Sequence, residues 1–117
     1  MPIQPKDLVA YAEDILKYEG CETHYRNVIG RAYYGAFLTA RNKAQKMSDE
    51  KFDGGGAHSK LVKFYMGIDE TIGNMLDVMR RSRIHADYQL DKKFGYYDAN
   101  ICCTRAKKLL KECQRDI

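Results

Sequence analysis

A chain of 117 residues with a 44% apolar fraction has the material for one small hydrophobic core and little more. No apolar run approaches the roughly eighteen residues of a membrane span, and the polar start Met1-Pro2-Ile3-Gln4-Pro5 lacks a signal peptide's apolar stretch, so the sequence reads as cytoplasmic. A net charge of +4, from 20 basic and 16 acidic side chains, permits an acidic partner such as RNA without requiring one.

The pattern predicts helices nearly throughout. The first follows Pro5, carries Leu8, Ala12, Ile15 and Leu16 on one stripe, and ends near Gly20. The second is long, from Thr23 to Lys46, with Val28, Ala32, Phe37 and Leu38 facing a core and Tyr33 and Tyr34 at its middle. Gly30 and Gly35 interrupt it, each costing up to about 1 kcal/mol against alanine, which predicts a close helix–helix approach at that point. Ser48 to Gly56 is a breaker containing Asp53-Gly54-Gly55-Gly56; no strand precedes it and no Gly-Lys-Ser/Thr follows, so it reads as a connector rather than a phosphate loop. A short helix from His58 to about Tyr65 comes next. The fourth runs from Asp69 toward His85, with Ile72, Met75, Leu76 and Met79 in helical register behind Ile68. A polar, aromatic-flanked stretch from Tyr88 to Tyr97 leads to a last helix, for which Asp98 is the expected N-cap. No alternating segment is long enough for a sheet, and the expected architecture is an all-α antiparallel bundle of four to five helices forming a single domain over residues 1–117.

Four cysteines, at 21, 102, 103 and 113, read as free thiols, and Cys102 and Cys113 as small apolar residues of a helix core. Cys21-x-x-His24 lacks a second ligand pair at the usual zinc spacing, and no metal or other cofactor is expected. His24 reads as a surface residue and His58 as a loop or cap residue. Arg105, Lys107, Lys108 and Lys111 form a basic group in the last helix, suited to complementing a helix dipole.

The densest chemistry lies in Arg80-Arg81-Ser82-Arg83-Ile84-His85, followed by Asp87 and Tyr88. Arginine grips phosphate through a planar, permanently charged fork, and histidine moves protons near neutral pH. Two registers overlap on this helix. Arg80 and His85 are five residues apart, about 140° around a regular helix, whereas Arg81 and His85 share a face at i, i+4. Arg83 continues the apolar stripe through Met79 and has Asp87 one turn beyond, which fits an ion pair bracing the bundle. Arg31, Tyr33 and Tyr34 could line a cleft beside this helix, a tyrosine stacking on a base, or serve as aromatic core.

Three stretches resemble the HEPN superfamily of small helical-bundle proteins. Arg31-Ala32-Tyr33-Tyr34-Gly35-Ala36-Phe37 is similar to its second-helix segment, and Ala57-His58-Ser59-Lys60-Leu61 to the segment opening its third helix. Arg80 to Tyr88 falls where the family places an arginine followed after four to six residues by histidine. The resemblance implies a homodimer joined through the signature helices and, in active members, metal-independent RNA cleavage. It also implies toxin or phage-defence roles, often beside a nucleotidyltransferase-type antitoxin. By that pattern Arg80 would hold the scissile phosphate and His85 would move the proton, with Arg81, Arg31 and Tyr33 able to contact RNA or nucleotide. Arg83-x-x-Ala86-Asp87-Tyr88 is also similar to a string in a subgroup of unassigned activity. There Arg83 would be the defining arginine, with Asp87 and Tyr88 supporting it, and the alternative function is a non-catalytic module binding RNA, a nucleotide or a partner protein.

Overall fold

Five helices account for most of the chain: α1 Pro5–Leu16, α2 Glu22–Met47, α3 Ala57–Ile68, α4 Glu70–Tyr88 and α5 Tyr96–Cys113. They are seen in a computed structural model that describes residues 3–18, 20–91 and 93–115. The protein is an all-α helical bundle, with no strand among the described residues.

Side-chain contacts fix the helix directions. His24 at the start of α2 meets the Ile15 carbonyl at the end of α1, while Gly35 further along α2 meets Pro5 and Val9, so α1 and α2 run antiparallel. Arg26 reaches Ala86 and Arg83 reaches Tyr34, which makes α4 antiparallel to α2. His58 packs on Tyr33 and Phe37 and Tyr65 donates to the Ala40 carbonyl, so α3 runs parallel to α2. Tyr25 against Tyr96 and Lys43 against the Cys113 carbonyl set α5 parallel to α2. Helix α2 therefore touches all four others, and its buried Val28, Ile29, Ala32, Tyr33, Ala36 and Ala40 form the axis of the core. Around them lie Leu61, Tyr65, Ile72, Leu76, Met79, Ala106 and Leu109, all essentially without solvent contact. The radius of gyration, 14.0 Å, is close to the roughly 13 Å expected of a compact chain of this size.

Three helix ends differ from the sequence expectation. Helix α1 stops at Leu16, short of Gly20; the Ile15 carbonyl there accepts from the Tyr18 N–H at 3.2 Å and lies 3.0 Å from His24 Nε2. Helix α3 continues to Ile68, and Asp69 alone separates it from α4: its N–H bonds the Tyr65 carbonyl while its carboxylate accepts from the N–H groups of Thr71 and Ile72. The N-cap of α5 is Gly95, not Asp98. Asp98 sits in the first turn and accepts from the Gly95 N–H at 3.0 Å, so the same carboxylate stabilises the helix start from three positions further in.

The two glycines of α2 also separate. A Cβ on Gly35 would lie 2.4 Å from a Val9 methyl and 2.9 Å from the Pro5 carbonyl oxygen, so the expected close approach is made there. Gly30 has nothing within 4 Å of a Cβ position and borders an open groove instead. Gly35→Ala should lower stability by about 1–3 kcal/mol through overpacking. Gly30→Ala should raise it by about 0.5–1 kcal/mol, since only the helix propensity changes. Urea midpoints of the two variants check the opposite signs.

Candidate functional site

The face shared by α2, α3 and α4 gathers Tyr33, Tyr34, His58, Arg80 and Arg83. The glycine-rich connector makes this possible: Gly54 and Gly56 take left-handed backbone angles, φ +73° and +81°, and turn the chain so that α3 starts at Ala57. His58, in the first turn, then lies against α2. Its ring stacks on Phe37 (centroids 4.0 Å apart, planes 14° apart) and on Tyr33 (5.5 Å, 21°). The Tyr33 hydroxyl contacts His58 Nδ1.

The protonation of this pair follows from its surroundings. Tyr33 is 1% exposed, and burial pushes its phenol well above the ordinary range, with the positive charges of Arg80 and Arg83 only partly opposing. Burial also lowers the His58 pKa, and the charges of Arg83 and Arg80 lower it further. Both groups are therefore neutral near pH 7. The buried Tyr33 hydroxyl has no other hydrogen-bond partner among the described residues, so it donates to Nδ1, and the proton of the neutral imidazole resides on Nε2. His58 thus presents an N–H donor rather than a lone pair along its half-exposed edge. The linkage has a definite sign. A histidine whose folded pKa is depressed contributes fully above its unfolded value of about 6.5 and loses that contribution as pH falls below it. The stability difference between wild type and His58→Phe should therefore move in favour of the variant between pH 7.5 and pH 5, as read from urea midpoints at both pH values.

Arg83 Nη2 donates to the Tyr34 hydroxyl at 3.1 Å, and the guanidinium lies over the Tyr34 ring, 5.2 Å from its centroid. Its Nε is 2.8 Å from Asp87 Oδ2, but the N–H points off that line, so the contact is a charge pairing rather than a directed hydrogen bond. Arg80, one turn earlier and half-buried, makes no hydrogen bond or ion pair with any described residue. Beyond Arg83 a groove of about 580 Å³ opens between α2 and α4, lined among others by Asn27, Gly30, Arg31, Tyr34 and Asp87. Arg31 is exposed there and, like Arg80, has no acidic partner among the described residues.

His85 lies elsewhere. It lines a separate pocket between α4 and α5 with Ser82, Phe94, Asp98, Cys102 and Arg105, so one chain does not bring Arg80 and His85 into one cleft. The angular separation read from the sequence is preserved because α4 runs as regular helix past His85 to Tyr88. Arg81 is exposed and pairs with Asp77 one turn back, and Tyr88 is exposed. The basic group of α5 is on the outside, with Lys107 paired to Glu13 at 2.8 Å.

Two residues gain roles that the sequence did not assign. His24 is half-buried rather than a surface residue, its Nε2 3.0 Å from the Ile15 carbonyl oxygen. Arg26 ties the end of α4 to α2: Nη1 donates to the Ala86 carbonyl at 2.7 Å, Nη2 to the Gln89 carbonyl at 3.0 Å, and both Nε and Nη2 to Glu22. Its guanidinium also lies 4.6 Å from the centre of the Phe94 ring. The one available signal was the Glu22–Arg26 spacing of i, i+4. Burial pushes the Cys102 and Cys103 thiols up, the latter to about 12, as suits apolar core fillers.

On this face, then, permanent cations stand free beside a neutral imidazole donor and a tyrosine, a combination able to hold phosphate oxygens and to meet a base. No family model, no curated protein and no solved structure matches this chain.

Proposed function

We propose that this chain is a HEPN-like bundle that binds the phosphodiester backbone of single-stranded RNA along the face formed by α2 and α4. The observation that carries the reading is the pair Arg80 and Arg31, cations without an acidic partner among the described residues, on either side of the Arg83–Tyr34 contact. Arg83, half neutralised by Asp87, positions Tyr34 and contributes less charge. His58 adds an N–H donor next to Arg80. The test is anisotropy of a labelled single-stranded RNA in low salt. Wild type should bind, and the Arg31→Ala/Arg80→Ala protein should lose most of that affinity; no binding by wild type would end the reading.

Cleavage is a second reading, and it needs a second copy of the chain. Transfer of the 2′-hydroxyl proton requires a lone pair near the phosphate, which His58 does not offer in the tautomer that Tyr33 imposes. His85 would have to come from a twofold partner to meet Arg80. Such an enzyme would cleave RNA in EDTA, leave 2′,3′-cyclic phosphate ends, and lose activity in His85→Ala. A toxin or defence role, with a nucleotidyltransferase-type antitoxin, belongs to this reading alone.

A further inference from the structure

His85, left out of the α2–α4 face, has surroundings of its own. The pocket between α4 and α5 measures about 440 Å³, within the roughly 300–1,000 Å³ of small-molecule sites. Its apolar lining is Ile29, Phe94, Ile101 and Cys102. Around that lining stand Lys93, Arg105 and His85, none of which makes a side-chain hydrogen bond or ion pair with any described residue. The single carboxylate present, Asp98, is committed to the Gly95 N–H at the start of α5. The Ser82 hydroxyl is likewise occupied, donating to the Val78 carbonyl.

Two fixed cations facing one engaged carboxylate leave net positive charge beside the Phe94 and Ile101 side chains. Folding has not neutralised it, although seven ion pairs form elsewhere among the described residues, one of them on the neighbouring turn of α5. The arrangement suits a compact anion carried on a flat apolar body, the anion between Lys93 and Arg105 and the ring against Phe94 and Ile101. The His85 ring, on the same wall, adds a further hydrogen-bonding group for such an anion. We infer that the α4–α5 pocket is a binding site for a small aromatic phosphate monoester, distinct from the RNA-binding face and independent of that reading.

The test uses the whole protein and the ring signals of its three histidines, assigned with His85→Gln, in NMR titrations with phenyl phosphate and with inorganic phosphate. Phenyl phosphate should shift the His85 ring signals while leaving those of His58 in place. It should bind at least about tenfold more tightly than inorganic phosphate, a difference of about 1.4 kcal/mol. The exposed Lys93→Ala and Arg105→Ala changes should each weaken it severalfold, with the spectrum otherwise folded. A response confined to His58, equal affinity for the two probes, or no response of His85 at millimolar ligand would each overturn the inference.

Discussion

Arg26→Ala should lower stability by about 2–4 kcal/mol, the largest loss expected from any single side chain that carries charge here. Its guanidinium holds two main-chain carbonyls of another helix end. The Ala86 carbonyl lies in the last turn of α4 and the Gln89 carbonyl at its C-cap, where no further helical N–H exists to satisfy them. Arg26 supplies both at 2.7 and 3.0 Å from a side chain that is 11% exposed, and each hydrogen bond from a charged donor is worth roughly 1.5–3 kcal/mol. Part of that is recovered because Glu22, 41% exposed, can return to water. Lysine in its place keeps the charge but not the fork, so Arg26→Lys should fall between the two. The loss should be local as well as global: amides of residues 86–91 should exchange with solvent before the rest of α4. Thermal unfolding with hydrogen exchange reads both, and a change below about 0.5 kcal/mol in Arg26→Ala would contradict the role given to it.

The second large effect is on binding. Arg31→Ala and Arg80→Ala together should weaken single-stranded RNA on the order of a hundredfold in low salt, about 1.4 kcal/mol for each lost phosphate contact. The dependence of log affinity on log salt should become shallower by about 1.4, since each contact on a single strand contributes about 0.7. Arg81→Ala is the internal control. It removes the same charge from the same helix, but Arg81 is 70% exposed and already paired with Asp77, so its effect should be several times smaller. Equal losses from Arg80→Ala and Arg81→Ala would mean that net charge, not the α2–α4 face, governs binding.

The helices were legible because their apolar stripes are long and their breakers strong: Pro5, the Ser48–Gly56 connector and Asp69 all mark real boundaries. Helix ends were less so. An aspartate stabilises a helix start both as N-cap and from the third position, so Asp98 alone could not place the start of α5. Within the candidate site, the 140° between Arg80 and His85 was contained in their spacing, and the structure keeps it. The position of His58 was not. Which ring it stacks on depends on how the Gly54–Gly56 turn aims α3 back across α2, a tertiary outcome with no local signature. Arg26 was missed for the same reason, because its carbonyl partners are 60 and 63 residues away in sequence.

The proposed RNA site has to be told apart from the other basic surfaces of the bundle, above all that of α5. Arg31, Arg80 and Arg83 lie on the α2–α4 face; Arg105, Lys107, Lys108 and Lys111 lie along α5. Mapping backbone amide shifts of the labelled protein during titration with a short single-stranded RNA separates them in one experiment. The perturbed amides should cluster around Arg31, Tyr34, His58, Arg80 and Arg83. Perturbations concentrated on α5, with that face silent, would contradict the proposed site.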